Sequence, residues 1–123
     1  MIAFALESQQ TNGYFGRSVV RTAADIIKDE GEQWSQCCFL WAALACHEYT
    51  GDRKCLGAIV RNVNLLIALF EQGGIRYFQK PHDASITGGA RAHGLMYVDV
   101  LEKLYRLTGD RRYVSFAKFL YDD

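Results

Sequence analysis

The chain has 123 residues, half of them apolar, and its equal numbers of acidic and basic side chains give a formal net charge of zero. These values are typical of one globular domain with its own core, and they exclude a disordered tail. Because the charge is balanced and no long run of like charge occurs, the sequence favours a sugar, a neutral metabolite or another protein as partner, with no nucleic acid and no membrane.

We interpret the segment 1–31 as the end of a preceding helix followed by a loop and a connector. Its first ten residues, MIAFALESQQ, contain an apolar patch but lack the basic leader and the small-residue cleavage site of a signal peptide. No apolar run is expected to reach membrane-spanning length, since polar residues interrupt the run that begins at Cys37. The four cysteines lack CxxC spacing and lie in apolar patterns, which favours free thiols in a cytoplasmic, reducing compartment: Cys37, Cys38, Cys46 and Cys55.

The segment 32–71 predicts a first αα-hairpin. Almost every residue from Gln33 to Tyr49 is apolar or small, which predicts a helix that is buried on all sides. The apolar residues of the next helix recur at spacings of three and four up to Phe70, which predicts an amphipathic helix with one solvent-exposed face. The polar side of that helix is expected to carry Arg53, Lys54, Arg61, Asn62 and Asn64.

After an inter-repeat loop over 72–91, the segment 92–123 predicts a second αα-hairpin of the same order. From Ala92 to Leu107 a narrow polar stripe interrupts an otherwise apolar helix, and the pattern from Asp110 to Tyr121 is again one-sided. The stripe consists of Asp99, Glu102, Lys103 and Arg106. The chain is therefore predicted to be all-α.

Each hairpin contains a copy of one short motif, TGDRK from Thr50 and TGDRR from Thr108, 58 residues apart. A glycine can take the left-handed conformation that ends one helix, and the aspartate after it can cap the next helix. The repeated order of a buried and an amphipathic helix is what inner and outer helix rings require. We therefore predict part of an (α/α)6 toroid. Six hairpins of this length need roughly 350 residues, which indicates a fragment.

Three stretches resemble a known family of toroidal glycoside hydrolases. The stretch QQTNGYFG from Gln9 to Gly16 resembles its "Q-x-DGYFG" loop, the segment from Trp34 to Asp52 resembles its inner helix and elbow, and the segment from Leu101 to Asp123 resembles a later hairpin. The closest resemblance is to the β-L-arabinofuranosidases of glycoside hydrolase family 127, formerly a domain of unknown function. These scaffold motifs are shared with N-acylglucosamine epimerases and other toroids, and Asn12 stands where the loop usually has aspartate.

The resemblance implies a zinc-bound cysteine nucleophile, from an adjacent cysteine pair followed by prolines. Cys37-Cys38 instead runs into Phe39 without a proline or further ligands at zinc spacing, so we interpret the pair as packing. No cofactor is visible in this chain. The resemblance implies zinc only in the complete protein, with a nucleophile outside this sequence.

Loops that precede the inner helices line the sugar cleft in such toroids, which makes His93 a candidate to bind a sugar hydroxyl. A helix-capping role for His93 fits equally well. Arg91 is expected either to bind a carboxylate of an acidic sugar or to pair with Asp83 or Asp99. His82 lies beside Asp83 in the long loop, where functional residues concentrate, although a solvated position fits both residues better.

The equivalent N-terminal end of the first inner helix contains Glu32 and Trp34. An indole there suits stacking on a sugar face, while core packing is the alternative. Glu32 is the one carboxylate expected at the cleft, and a complete pair of hydrolytic carboxylates is not visible. Tyr14 in the NGYFG loop is a further candidate for substrate binding, and His47 is expected to be structural.

Three functions remain open at this point. The chain fits part of a glycoside hydrolase that forms one wall of a sugar cleft and is inactive alone. It also fits a sugar epimerase of the same architecture that uses histidines as acid and base, or a non-catalytic helical domain that binds a partner. A partial toroid should expose an apolar edge on its inner helices, 33–49 and 92–107, for the missing remainder of the toroid or for self-association.

Overall fold

The computed structural model describes residues 2–16, 19–28, 30–73 and 89–122. Within these ranges the chain is all-α, as predicted, and no strand occurs. The six helices are α1 Ile2–Glu7, α2 Ala23–Lys28, α3 Glu30–Thr50, α4 Arg53–Gly73, α5 Gly89–Thr108 and α6 Arg111–Asp122.

Four long helices form two αα-hairpins, α3 with α4 and α5 with α6, and α3 packs against α5. Each hairpin buries apolar side chains at spacings of three and four, as its sequence predicts. The core contains Leu40 and Leu44 of α3, Ile59, Val63 and Leu66 of α4, Val100 and Leu104 of α5, and Phe116 and Leu120 of α6. Helices α3 and α5 therefore form an inner layer, with α4 and α6 outside it.

The two elbows have the same hydrogen bonds, so the repeated motif is a structural repeat. Gly51 and Gly109 have φ values of +70° and +72°, and their amides donate to His47 O and Tyr105 O over 2.8 and 2.7 Å. These are left-handed helix ends. The aspartate after each glycine then accepts a hydrogen bond from a backbone amide of the next helix, from Lys54 N over 2.8 Å and from Arg112 N over 3.0 Å. The predicted caps are confirmed.

The side chain predicted to be structural at the first elbow also makes a local contact. His47 Nδ1 lies 3.2 Å from the backbone oxygen of Asp52. The imidazole therefore joins the last turn of α3 to the residue that caps α4. This contact holds the elbow and lies far from the N-terminal end of α3.

The connector before α3 contains a short helix, α2, that the sequence analysis missed. Thr22 and Asp25 form a reciprocal cap, since Thr22 N donates to Asp25 Oδ2 over 2.9 Å and Asp25 N donates to Thr22 Oγ1 over 3.3 Å. The four letters TAAD have the pattern of a capping box, with aspartate in place of the usual glutamate or glutamine. That local signal could have located the start of α2.

The span Arg53–Gln72 of α4 is long and apolar enough to cross a membrane. The expectation that no run reaches this length was wrong, because it considered only the run from Cys37. Helix α4 packs against α1, α2 and α3, and its apolar face is buried among them. We therefore interpret α4 as a core helix of the bundle.

The prediction that α3 is buried on all sides is wrong for this chain. Its exposed residues recur along one side and form what we name the α3 stripe: Trp34, Cys38, Ala42, Ala45 and Tyr49. Trp34 is 46% exposed and Tyr49 is 95% exposed, because no described helix covers this side. On α5 the described exposed side chains are mostly polar, with Tyr105 and Leu107 as the large apolar exceptions.

Candidate functional site

The inner helices α3 and α5 run parallel, and three contacts establish their register. The side chains of Cys37 and Tyr97 are neighbours across the two helices. Nearer the C-terminal ends of the helices, Lys103 Nζ lies 5.3 Å from the ring centroid of Trp41 and 3.1 Å from Glu48 Oε1. Contacts that advance in the same direction along both helices place the two N-terminal ends together.

The N-terminal end of the inner layer, which we name the cleft end, is therefore separate from the elbow end. Trp34 stands three residues before Cys37, and His93 stands four residues before Tyr97, so both lie about one turn from the same contact. At 1.5 Å per residue, Trp34 is roughly 24 Å along the helix from Thr50. The TGD elbows accordingly lie at the far end from the predicted cleft.

Gln9, the first residue of the QQTNGYFG stretch, holds the NGYFG loop on the outer helix α4. Gln9 Nε2 donates to Gly13 O and to Ala58 O, each over 2.8 Å. Gln9 Oε1 in turn accepts hydrogen bonds from the guanidinium of Arg61, of which the Nε bond is 3.2 Å long. One side chain thus fixes both the turn of the loop and its position on α4.

Gly13 is required at the point where the loop touches α4. Its φ is +98°, and a Cβ built there would lie 2.6 Å from the backbone oxygen of Arg61. Any other residue would combine a disfavoured backbone conformation with a clash against backbone. The glycine therefore allows the loop to approach the helix closely.

Asn62 and Gln36 lie beneath the loop as a buried polar pair. Asn62 Nδ2 donates to Gly13 O over 3.1 Å and to Gln36 Oε1 over 2.9 Å. The placement of Asn62 on the wet side of α4 was wrong, since its exposed fraction is 0%. Its buried position depends on acceptors far away in sequence. Gln36 is a polar residue within the apolar run of α3, and this position could have indicated a buried polar pair.

Asn12, at the position of the usual aspartate, has a local structural role. Its Oδ1 accepts a hydrogen bond from Tyr14 N over 3.0 Å, and its Nδ2 donates to Val20 O over 3.2 Å. An ionised carboxylate could accept the first bond but could not donate the second. The asparagine amide therefore ties the loop to the connector.

The two aromatic residues of the loop are buried. Tyr14 is 1% exposed, so its ring belongs to the core of this chain, and its role in substrate binding stays a prediction. Phe15 packs against Phe39 of α3 with ring centroids 4.4 Å apart. The aromatic pair joins the loop to the inner helix, five residues beyond Trp34.

At the cleft end of α3, Trp34 presents a partly exposed indole. Its 46% exposure leaves part of the ring accessible to a sugar. Trp41, two turns further on, is partly buried beneath Lys103. Glu32 lies in the first turn of α3, and its side chain is outside the described part of the structure.

The remaining candidates belong to α5 and the loop before it. Arg91 and His93 lie in the first turns of α5, and their side chains are outside the described part of the structure. His82 and Asp83 fall entirely outside the described residues. Parallel packing of α3 and α5 brings the N-terminal backbones of both helices to the same end, and the roles of these residues stay predictions.

The Cys37-Cys38 pair does not fit a zinc-bound thiolate site. Burial raises the pKa of the Cys37 thiol to about 12, and the hydrogen bond with Tyr97 offsets this only in part. In the metal-free chain Cys37 is therefore a neutral thiol within the core. Among the residues that the structure describes, no group of three or more histidine, cysteine or acidic side chains could hold a metal ion.

A family model described as the catalytic domain of beta-L-arabinofuranosidase, GH127, matches residues 1–123. No curated protein matches the chain, and no solved structure matches it. The match covers the loop, both elbows and the N-terminal ends of both inner helices, which confirms the resemblance inferred from their motifs. The chain therefore belongs to the β-L-arabinofuranosidase family, glycoside hydrolase family 127, and its two helical hairpins form part of the helical toroid of that family.

Proposed function

We propose that the chain forms one wall of the sugar cleft of a β-L-arabinofuranosidase-like glycoside hydrolase, at the cleft end of α3 and α5. The parallel register of these helices is the observation that carries the proposal, because it brings their N-terminal ends to one end of the inner layer. Membership of a glycosidase family supports hydrolysis over epimerisation as the reaction.

In this proposal Trp34 stacks on a sugar face, since its half-exposed indole stands at the cleft end. His93 and Arg91 bind sugar hydroxyl or carboxylate groups from the first turns of α5, and His82 does so from the preceding loop. Tyr14 acts through the loop, because its buried ring packs in the core. Glu32 is the candidate acid or base.

Zinc has no part in the chemistry that we assign to these residues. Among the described residues, no group of three or more histidine, cysteine or acidic side chains could hold a metal ion. If the family's zinc-cysteine mechanism applies, we propose that its nucleophile lies outside this chain. The wall formed by α3 and α5 then binds and orients the sugar.

The partner of the α3 stripe follows from the same proposal. Inner helices of a toroid touch other inner helices on two sides, and α5 covers only one side of α3. We propose that a further inner helix of the complete toroid covers the small residues of the stripe, Cys38, Ala42 and Ala45. Small residues at these positions allow close approach of such a helix.

The test measures hydrolysis of an aryl β-L-arabinofuranoside by a protein that contains this chain with the rest of its toroid. Glu32→Gln should lower kcat by at least about a hundredfold, the usual size of an acid-base contribution. Glu48→Gln is the matched control, because Glu48 lies on the same helix at the elbow end. Equal effects of the two variants would contradict the proposed cleft, and epimerisation of an N-acylglucosamine without glycoside hydrolysis would contradict the proposed reaction.

Chelator treatment tests whether activity depends on zinc, and the cysteine variants then test whether the zinc lies at Cys37-Cys38 or outside this chain. Activity of the complete protein that disappears with chelator and returns with zinc would support a zinc-cysteine site outside this chain. Cys37→Ser and Cys38→Ser should then keep their activity. Loss of zinc from either variant would instead place the metal at the pair and contradict our assignment.

A further inference from the structure

The NGYFG loop begins with an asparagine followed by a glycine, a dipeptide in which the side-chain amide is chemically unstable. The backbone nitrogen of the residue after an asparagine can attack the side-chain amide carbon, and glycine hinders that attack least because it has no Cβ. Asn12 is exposed to solvent, and Gly13 follows it directly. The loop therefore contains a site at which water could convert an asparagine to an aspartate.

Three hydrogen bonds hold the groups that would react. The Gly13 amide, which is the nucleophile of such a reaction, donates to Gln10 O over 2.8 Å. The Asn12 side chain, which contains the electrophilic carbon, accepts from Tyr14 N over 3.0 Å and donates to Val20 O over 3.2 Å. Attack requires the amide nitrogen to lose its proton and the side-chain carbon to turn toward it. Each of the three bonds therefore opposes the reaction.

The position of Gly13 on α4 opposes the reaction as well. Gly13 O accepts hydrogen bonds from Gln9 Nε2 over 2.8 Å and from Asn62 Nδ2 over 3.1 Å. Gly13 is buried, and it lies so close to α4 that an added Cβ would be 2.6 Å from Arg61 O. A ring that includes the Gly13 nitrogen changes the backbone at this contact. Ring formation therefore requires the loop to leave α4.

We propose that Asn12-Gly13 is a latent deamidation site, which is protected while the NGYFG loop lies on α4 and reacts when the loop leaves it. Local opening of a loop costs less free energy than global unfolding. In the open loop, Gly13 N forms a bond to Asn12 Cγ, the bond from Cγ to Nδ2 breaks, and ammonia leaves with the proton of the attacking nitrogen. Water then opens the succinimide ring at either carbonyl, which gives aspartate or isoaspartate. The net reaction consumes one water and releases one ammonia.

Deamidation makes the release of the loop lasting, because the product does not return to asparagine. Aspartate at position 12 has no amide group to donate to Val20 O. Isoaspartate adds a carbon to the main chain directly before Gly13, where the loop lies closely against Arg61. Either product therefore removes a contact that attaches the loop to the connector or to α4.

The experiment incubates the 123-residue chain and the acetylated peptide QQTNGYFG at the same mildly alkaline pH. Digestion at acidic pH and mass spectrometry then follow the conversion of Asn12 to aspartate and isoaspartate. The peptide has no helix to dock on, so it gives the unprotected rate. Asn12 in the folded chain should react at least about tenfold more slowly, as expected for a loop that is open less than about a tenth of the time. Equal rates in the chain and the peptide would overturn the proposal.

Two variants release the loop by different bonds. Gln9→Ala and Asn62→Ala each remove a donor to Gly13 O, so Asn12 should deamidate faster in both, toward the rate of the peptide. Asn64→Ala is the matched control, because Asn64 lies on the same helix and bonds to α6 instead of the loop, and its rate should equal that of the unaltered chain. An unfolded variant would also react quickly, so only chains with unchanged helical circular dichroism are compared. Folded Gln9→Ala and Asn62→Ala chains that react no faster than the unaltered chain would overturn the proposal.

Discussion

Asn62 of α4 donates a hydrogen bond of 2.9 Å to Gln36 of α3, and both side chains are almost completely buried. The same amide group donates to Gly13 O, so a single side chain joins the outer helix, the inner helix and the NGYFG loop. This junction positions the loop next to the half of α3 that leads to the cleft end. The packing of the NGYFG loop against α3 therefore depends on a residue of the outer layer.

Asn62→Ala removes the donor from two buried acceptors. We expect a loss of roughly 2 to 3 kcal/mol in the free energy of unfolding, because Gly13 O and Gln36 Oε1 lose their shared partner in a buried site. Denaturant unfolding followed by circular dichroism measures this value.

Asn64→Ala is the control for that variant. Asn64 lies on the same helix and accepts a hydrogen bond of 3.3 Å from the Tyr113 hydroxyl at a partly buried site. Its loss should cost less than about 1 kcal/mol. Equal losses for the two variants would show that Asn62 does not hold the junction.

Gly13→Ala should destabilise the chain more than Gly51→Ala or Gly109→Ala. Gly51 and Gly109 also have positive φ, but a Cβ at these positions meets no atom within 4 Å. In their alanine variants, the free energy of unfolding should fall by roughly 1 to 2 kcal/mol, because alanine disfavours the left-handed backbone. For Gly13→Ala, the free energy of unfolding should fall by at least about 1 kcal/mol more than for the elbow variants, because the new Cβ clashes with Arg61 O. Comparison of the three unfolding free energies tests this order.

Asp110 should make part of the chain's stability depend on pH. Hydrogen bonds from the Arg112 side chain and backbone amide lower the pKa of Asp110 below its ordinary value. Because the folded-state pKa is the lower one, the stabilisation is complete above the unfolded-state pKa and is lost as the pH falls through the folded-state pKa. Asp110→Ala should therefore be less stable than the unaltered chain at neutral pH, and the difference should disappear at strongly acidic pH.

Arg112→Gln separates the two causes of that shift. It keeps the backbone hydrogen bond to Asp110 and removes the guanidinium group. The acid-dependent part of the stability should then be smaller than in the unaltered chain, and its loss should be complete at a higher pH, because the folded-state pKa of Asp110 is lowered less. A stability curve that does not move would contradict the assigned role of the guanidinium.

The elbows could be predicted from the sequence because their chemistry is local. Glycine and aspartate in the TGD motif act on backbone groups a few residues away, and the same letters give the same hydrogen bonds at Gly51 and Gly109. The amphipathic patterns of α4 and α6 could be predicted as well, since burial follows their spacing.

Other features depend on residues that are distant in sequence. Asn62 was assigned to solvent from its polarity, whereas its partners Gly13 and Gln36 come from a loop and from another helix. The stripe of α3 was assigned to the interior because its sequence does not show which neighbour covers each side. At the candidate site, the position of Trp34 in the repeat predicts a place beside the cleft, and its role there stays a prediction.

The central claim is that sugar binds at the cleft end of α3, and two exposed aromatic residues of the α3 stripe test it most directly. Trp34 lies at the cleft end and Tyr49 lies about 22 Å along the helix, next to the elbow. Steady-state hydrolysis of an aryl β-L-arabinofuranoside by the complete protein should show KM raised about tenfold by Trp34→Ala, the equivalent of roughly 1.4 kcal/mol of binding. Tyr49→Ala should leave KM unchanged. An unchanged KM for Trp34→Ala together with a raised KM for Tyr49→Ala would place the sugar at the elbow end and contradict the account.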